Sequence, residues 1–144
     1  MRFMGLLKAD EHSEAGEFPD DPTIFQRMAV FMQEVAEAGV LTATDGLAPS
    51  SKGKRVKLAD GNVTVIDGPF TESKELVASY ALFNVKSMDE AVYWTTRFLE
   101  VLGQGECEIR PIFEPTDFPA DVFPPEMQAA EEAMRETMAQ NAKP

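Results

Sequence analysis

Hydrophobic positions along the chain recur at two spacings, and their alternation lays out the elements. Residues 2–8 form a short apolar run closed by Arg2 and Lys8, which predicts a first strand. Residues 9–21 hold six acids with Gly16 and Pro19 and read as a loop. Asp21-Pro22 then opens a helix, because the carboxylate can cap free amides and proline at the first position gives up no bond. Ile24, Met28, Phe31, Val35 and Ala38 follow at helical spacing until Gly39, predicting a helix over 22–38. A short strand is expected over 40–47, with a polar turn at Ser50–Lys54. Val56 and Leu58, then Val63 and Val65, flank Asp60-Gly61, a pair suited to a tight hairpin turn. Gly68-Pro69 ends its second arm. The strongest strand is 76–85, and Ser87-Met88-Asp89-Glu90 is a capping box opening a second helix that ends before Gly103. Residues 107–113 alternate as a last strand.

This order, β-α-β, a hairpin, then β-α-β, is an α+β pattern. It matches a ferredoxin-like βαββαβ sandwich with one extra hairpin, over residues 1–114. Residues 115–144 form a Pro-rich connector and an amphipathic helix from Glu126 to about Gln140, striped by Met127, Ala130, Met134 and Met138. That stripe is expected to pack on the domain or on a partner subunit. Strand one is apolar on both sides, Phe3 and Leu7 against Met4 and Leu6. Two helices cover only one sheet face, so a second subunit covering the other is the economical expectation: a homodimer, with the tail as competing cover.

Charge refines the picture. The 144 residues carry a formal net charge of −12. Residues 1–21 and 114–144 hold most of that acidity, while the core carries a basic cluster at Lys52, Lys54, Arg55 and Lys57. So acidic a chain argues against direct nucleic-acid or anionic-membrane binding, and a small anion in a local basic pocket stays compatible. No run reaches the length of a membrane span, and a cytoplasmic location is expected. One cysteine and one histidine cannot build a His/Cys metal cluster, and no phosphate-cradling glycine motif occurs, so no metal or cofactor is expected.

Two groups of residues can carry chemistry. In Val65 to Glu75 a strand ends in Asp67-Gly68-Pro69-Phe70, followed by Glu72 and Lys74. Asp67 is either a general base or a turn-capping carboxylate, and Glu72 and Lys74 either contact ligand or form a surface pair. Strand alternation puts Phe3, Leu7, Ala81, Phe83, Val85 and Ile109 on the helix side. Lys8, Tyr80, Asn84, Glu108 and Arg110 are left on the other. Ionised groups between two sheets must pair or bind something, so this face is either a polar pocket or an interchain salt-bridge network. His12 has base chemistry near neutral pH but lies in the acidic loop, where a solvated role is the plain alternative. Cys107, on the helix side, reads as an inert core thiol.

The segment Asp67-Gly68-Pro69-Phe70, the opening Met1–Met4 with Lys8-Ala9, Ser13–Gly16, Ser50–Gly53, Val85–Ser87 and Glu108–Arg110 together resemble the YCII-related, or DGPF-domain, family. The resemblance runs from Met1 to about Arg135 and implies a subunit that pairs into a dimeric α+β barrel. It implies a site at the DGPF loop and cleft, with Asp67, Phe70, Glu72, Lys74, Tyr80 and Arg110. Some members carry a proposed His–Asp pair, with the histidine near the start of the first helix; Pro22 to Arg27 here contains no histidine. The resulting expectation is a small anionic metabolite bound by Lys8, Phe70, Glu72, Lys74 and Arg110. With turnover, Asp67 or Glu108 would be the base and Tyr80 a proton donor in isomerase- or lyase-type chemistry. The alternatives are a non-catalytic sensor with a regulatory protein partner, since some DGPF proteins are associated with extracytoplasmic-function sigma factors, and a structural dimer without ligand.

Overall fold

A computed structural model describes residues 1–71 and 75–144 of the chain. They form two compact units, Met1–Ile112 and Phe113–Pro144.

In the first unit β1 (Arg2–Lys8), β2 (Leu41–Gly46), β5 (Val77–Asn84) and β6 (Cys107–Pro111) form one antiparallel sheet in the order β2-β5-β1-β6. Two helices, α2 (Pro22–Glu37) and α3 (Met88–Leu102), provide its cover. The register pairs Phe3 with Phe83 and Pro111, and Gly5 with Ala81 and Ile109, so these residues share one face. The core confirms which face it is: Phe3, Phe83 and Val85 are buried with Phe31 and Val35 of α2 and Ala91 and Trp94 of α3. Phe3 is 1% exposed. Burying side chains of this size contributes roughly 1.5–3 kcal/mol each, which fixes the pairing, since a one-residue slip would turn them to the opposite face.

The helix ends follow the chemistry expected of them. Asp21 accepts the Thr23 amide at 2.9 Å, Ser87 accepts the Glu90 amide at 3.2 Å, and α3 stops at Gly103 with φ +82°. Glu90 closes its box one residue earlier than expected, on the Lys86 amide at 2.8 Å. The acidic stretch read as a loop holds one helical turn, α1 (Glu11–Glu14). Asp10 and Ser13 cap it reciprocally, the Ser13 amide donating to Asp10 at 2.8 Å and the Asp10 amide to Ser13 at 2.9 Å.

β3 (Lys54–Ala59) and β4 (Asn62–Asp67) form a separate two-stranded sheet. Asp60 and Gly61 turn it with φ of +51° and +76°, as the dipeptide predicts. In the second unit α4 runs Pro125–Asn141, with Met127, Met134 and Met138 exposed. Tilted contacts join Phe113 to Phe118 and Phe118 to Phe123 in the segment before it. No helix among the described residues is long and apolar enough to cross a membrane.

Candidate functional site

The sequence-predicted residues separate into two places. At the root of the hairpin, Asp67 is exposed and ion-paired with Lys54, the residue directly across from it. The Phe70 ring lies under the Arg55 guanidinium, 4.0 Å from its centroid, and its amide donates to Ser50 Oγ at 3.0 Å. Ser50 in turn donates through Oγ (2.5 Å) and its amide (3.0 Å) to the Glu14 carboxylate. The Gly68 amide donates to the Gly53 carbonyl at 3.0 Å, and a Cβ on Gly68 would collide with the Ser50 carbonyl. The Asp-Gly-Pro-Phe signature therefore clamps the hairpin onto the Ser50–Lys52 turn and α1. Gly68 is required there because backbone occupies the place of a side chain. Glu72 and Lys74 lie outside the described residues.

The other group sits on the sheet face away from the helices. Adjacent register pairs place Asp45, Tyr80, Leu6 and Glu108 in one row across the four strands, with Ala43, Leu82, Met4 and Arg110 in the next. Tyr80 donates its hydroxyl to Asp45 at 2.7 Å, and that bond to a carboxylate raises its pKa. Glu108 lies two strands from Tyr80, a separation of about 10 Å. Its own partner is Lys8, at 3.9 Å. Arg110 and Asn84 are exposed. Asp67 belongs to a different sheet from Glu108 and Tyr80.

A third place, between the sheet and the helices, was not legible as a site. It is a chamber, and a separate cleft lies on its outer side, Leu7 standing in the wall of both. The chamber measures about 50 Å³ in space open to the centre of a water-sized sphere. At about 10–15 Å³ per sphere centre, that admits several waters or one compact apolar group. Its walls are mostly apolar, including Phe31, Phe83 and Phe98. Gly5 leaves room here, since a Cβ would approach the Phe83 ring to 3.0 Å. Two polar atoms in this wall are buried without a hydrogen-bond partner: the Trp94 indole Nε1 and the Thr95 hydroxyl. The neighbouring Thr96 bonds back to the Val92 carbonyl at 2.8 Å, so Thr95 is distinctive in leaving its hydroxyl unused. Cys107 completes the wall, its thiol pushed up to about 11 by burial first and Glu106 second, which keeps it protonated and unreactive at neutral pH.

The outer cleft is larger, about 590 Å³ in the same measure, and more polar than the chamber. Lys8, Asp10, His12, Glu17 and Gln104 line it beside Phe18 and Leu102. His12 Nδ1 lies 2.6 Å from Glu17 Oε2. Gly16, at φ +74°, turns the chain back after α1 so that Glu17 returns to its histidine. The hydrogen bond to Glu17, then its charge, raises the His12 pKa. With Nδ1 engaged, the neutral ring keeps its lone pair on Nε2, the arrangement of an oriented general base. Asp10 is held below its ordinary value chiefly by the Ser13 amide and so remains an acceptor. A register shift between Leu7 and Lys8 marks the end of β1 where Lys8 joins this wall.

The model of the YCII-related domain matches residues 1–116, most of the chain. The chain belongs to the YCII-related family. This YCII-related protein is 26% identical over 104 residues to an uncharacterised protein of Rhizobium meliloti (strain 1021), covering 70% of this chain and 84% of that one. Among solved structures it is similar to a 5-chloro-2-hydroxyhydroquinone dehydrochlorinase from Burkholderia phenoliruptrix AC1100, solved in complex with 2,5-dihydroxybenzoquinone. The identity is 11% and the TM-score 0.44, with 83% of this chain and 100% of that chain covered.

Proposed function

We propose that this YCII-related protein binds a small organic acid in the sheet–helix cleft and that His12 moves a proton on it. The observation that carries the reading is the apolar chamber with two unpartnered polar groups, Trp94 Nε1 and Thr95 Oγ1, in its wall. Each such group costs about 1–3 kcal/mol while unpaired, and a ligand oxygen in the chamber would recover that cost. The ligand's compact apolar part fills the chamber, and its charged end meets Lys8 in the outer cleft. His12, oriented by Glu17, accepts the proton, and Nε2 returns it, which is isomerase- or lyase-type chemistry. This keeps the anionic substrate expected from sequence and moves the base from Asp67 or Glu108 to His12. Asp67 has its counter-ion in Lys54, and Glu108 shares Lys8 with the cleft.

The same cleft supports a second reading, binding without turnover, favoured by the 72% exposure of the His12 side chain, since a base in open solvent competes with water. Phenylpyruvate is a suitable probe because it joins a ring, a carboxylate and exchangeable C–H protons. In D2O the wild type is expected to speed deuterium entry beside its carbonyl. His12→Gln should abolish that acceleration, while Asp67→Asn and Tyr80→Phe retain it. Loss in Asp67→Asn with retention in His12→Gln would return the base to the hairpin root. Binding without acceleration would establish the second reading.

A further inference from the structure

No Lys, Arg, His, Asp or Glu stands in the wall of the sheet–helix chamber. Arg97 touches that wall from a neighbouring groove, which shares Phe31 with the chamber. Its guanidinium lies 5.4 Å from the ring centroids of Phe31 and Trp94. Glu34 holds that charge through two hydrogen bonds of 2.5 and 2.7 Å, so Arg97 is not a counter-ion for anything inside. On the sheet side the Cys107 thiol is raised by burial and then by the charge of Glu106, an anion beside the chamber rather than a cation. An ionised group placed here would be buried unpaired, which is strongly unfavourable. The polar atoms that are present make a different demand. Trp94 is 9% and Thr95 7% exposed, and neither Trp94 Nε1 nor Thr95 Oγ1 has a partner. The indole can only donate, and the hydroxyl can donate or accept. Thr44 in the same wall has already spent its hydroxyl on the Tyr80 carbonyl at 2.8 Å.

We infer that the ligand is a monoanion with two unlike ends: a carboxylate at one and, across an apolar spacer, an uncharged hydroxyl or carbonyl oxygen at the other. This rests on the reading of chamber and cleft given above and names the substrate class of that same site. The carboxylate stays in the outer cleft, where Lys8 supplies the charge, and the neutral oxygen accepts from Trp94 and Thr95. Two kinds of acid are thereby rejected. A dicarboxylate or a phosphorylated acid would place its second charge in a wall without a cation, next to Glu106. A plain alkyl or aryl acid would fill the chamber and leave both buried polar atoms unpaired. The unlike ends also fix orientation. The carbon atoms beside the carboxylate lie on the His12 side, so the proton moves at the charged end while the far oxygen serves recognition alone.

Titration calorimetry of the full chain with benzoate and three para-substituted benzoates tests the class. 4-Hydroxybenzoate is expected to bind about tenfold tighter than benzoate. Terephthalate and 4-nitrobenzoate share one outline, the first ending in a charge and the second in a neutral group. The nitro compound should bind at least about tenfold tighter of the two. Thr95→Val should remove most of the hydroxyl's advantage, and Lys8→Met should weaken all four acids. The possible failures are distinct. Four equal affinities that all fall in Lys8→Met, or terephthalate as tight as 4-nitrobenzoate, overturn the neutral-oxygen class and leave the acid-binding cleft standing. No binding of any of the four, with the Trp94 indole signal unmoved by NMR, overturns the cleft reading and the class with it.

Discussion

Replacing Thr95 with valine separates the cost of an empty chamber from its use. Valine matches threonine in shape and differs little in helix propensity, so packing against Phe31, Phe83 and the rest of the wall is retained. What disappears is a buried hydroxyl with no partner. An unpaired buried polar group costs about 1–3 kcal/mol, so the ligand-free protein should gain about 1–2 kcal/mol from Thr95→Val. For a chain of this length that is a rise in Tm of about 3–6 °C, or a shift of the urea midpoint to higher concentration at constant slope. Calorimetry of ligand-stripped protein measures the first directly. The second half of the prediction has the opposite sign: a bound acid that accepts from Thr95 should bind the valine variant more weakly, by about tenfold. Stability unchanged or lowered in the stripped protein would show that the hydroxyl is already satisfied, and the argument for a ligand-completed chamber would fail.

Two further outcomes follow from the geometry. Gly68→Ala should destabilise the chain by about 3 kcal/mol or more, measured by urea unfolding. The added Cβ meets the Ser50 carbonyl and must break the bonds that Gly68 and Phe70 make at the hairpin root; a loss below about 1 kcal/mol would refute the clamp. Glu17 raises the His12 pKa, so the imidazolium and its partnership with Glu17 persist above the ordinary histidine value of 6.5 and fade as pH rises through the raised value. Glu17→Gln should bring the midpoint of the His12 NMR titration back down, and a midpoint unmoved would show that the pair does not form in solution.

Much of the fold was legible because local chemistry and tertiary burial agree. The period-two placement of Phe3, Phe83 and Ile109 and the caps at Asp21 and Ser87 both describe what the core requires. The short α1 was hidden because its signal is one reciprocal pair, Asp10 and Ser13, inside an acidic stretch that otherwise reads as coil. The chamber was hidden for a different reason. Thr95 lies on the buried stripe of α3, and whether a hydroxyl there bonds back to its own helix, as Thr96 does, depends on the rotamer. The joining of His12 to Glu17 depends on the positive φ of Gly16, which a sequence permits without announcing. Strand alternation placed Tyr80, Glu108 and Arg110 on a common sheet face. It carried no information on their spacing across strands, or on the hairpin's forming a sheet of its own.

The most direct test of the central claim uses the single tryptophan, which stands in the chamber wall. One indole N–H signal is expected in the nitrogen-15 NMR spectrum, and titration with 4-hydroxybenzoate, a ring with a carboxylate for Lys8 and a hydroxyl oxygen at its far end, should move it saturably as the N–H gains an acceptor, with weaker binding in Lys8→Met. An indole signal that stays fixed while 4-hydroxybenzoate rises well beyond roughly 1 mM, the weak limit for a specific site, would contradict a ligand-binding chamber between sheet and helices.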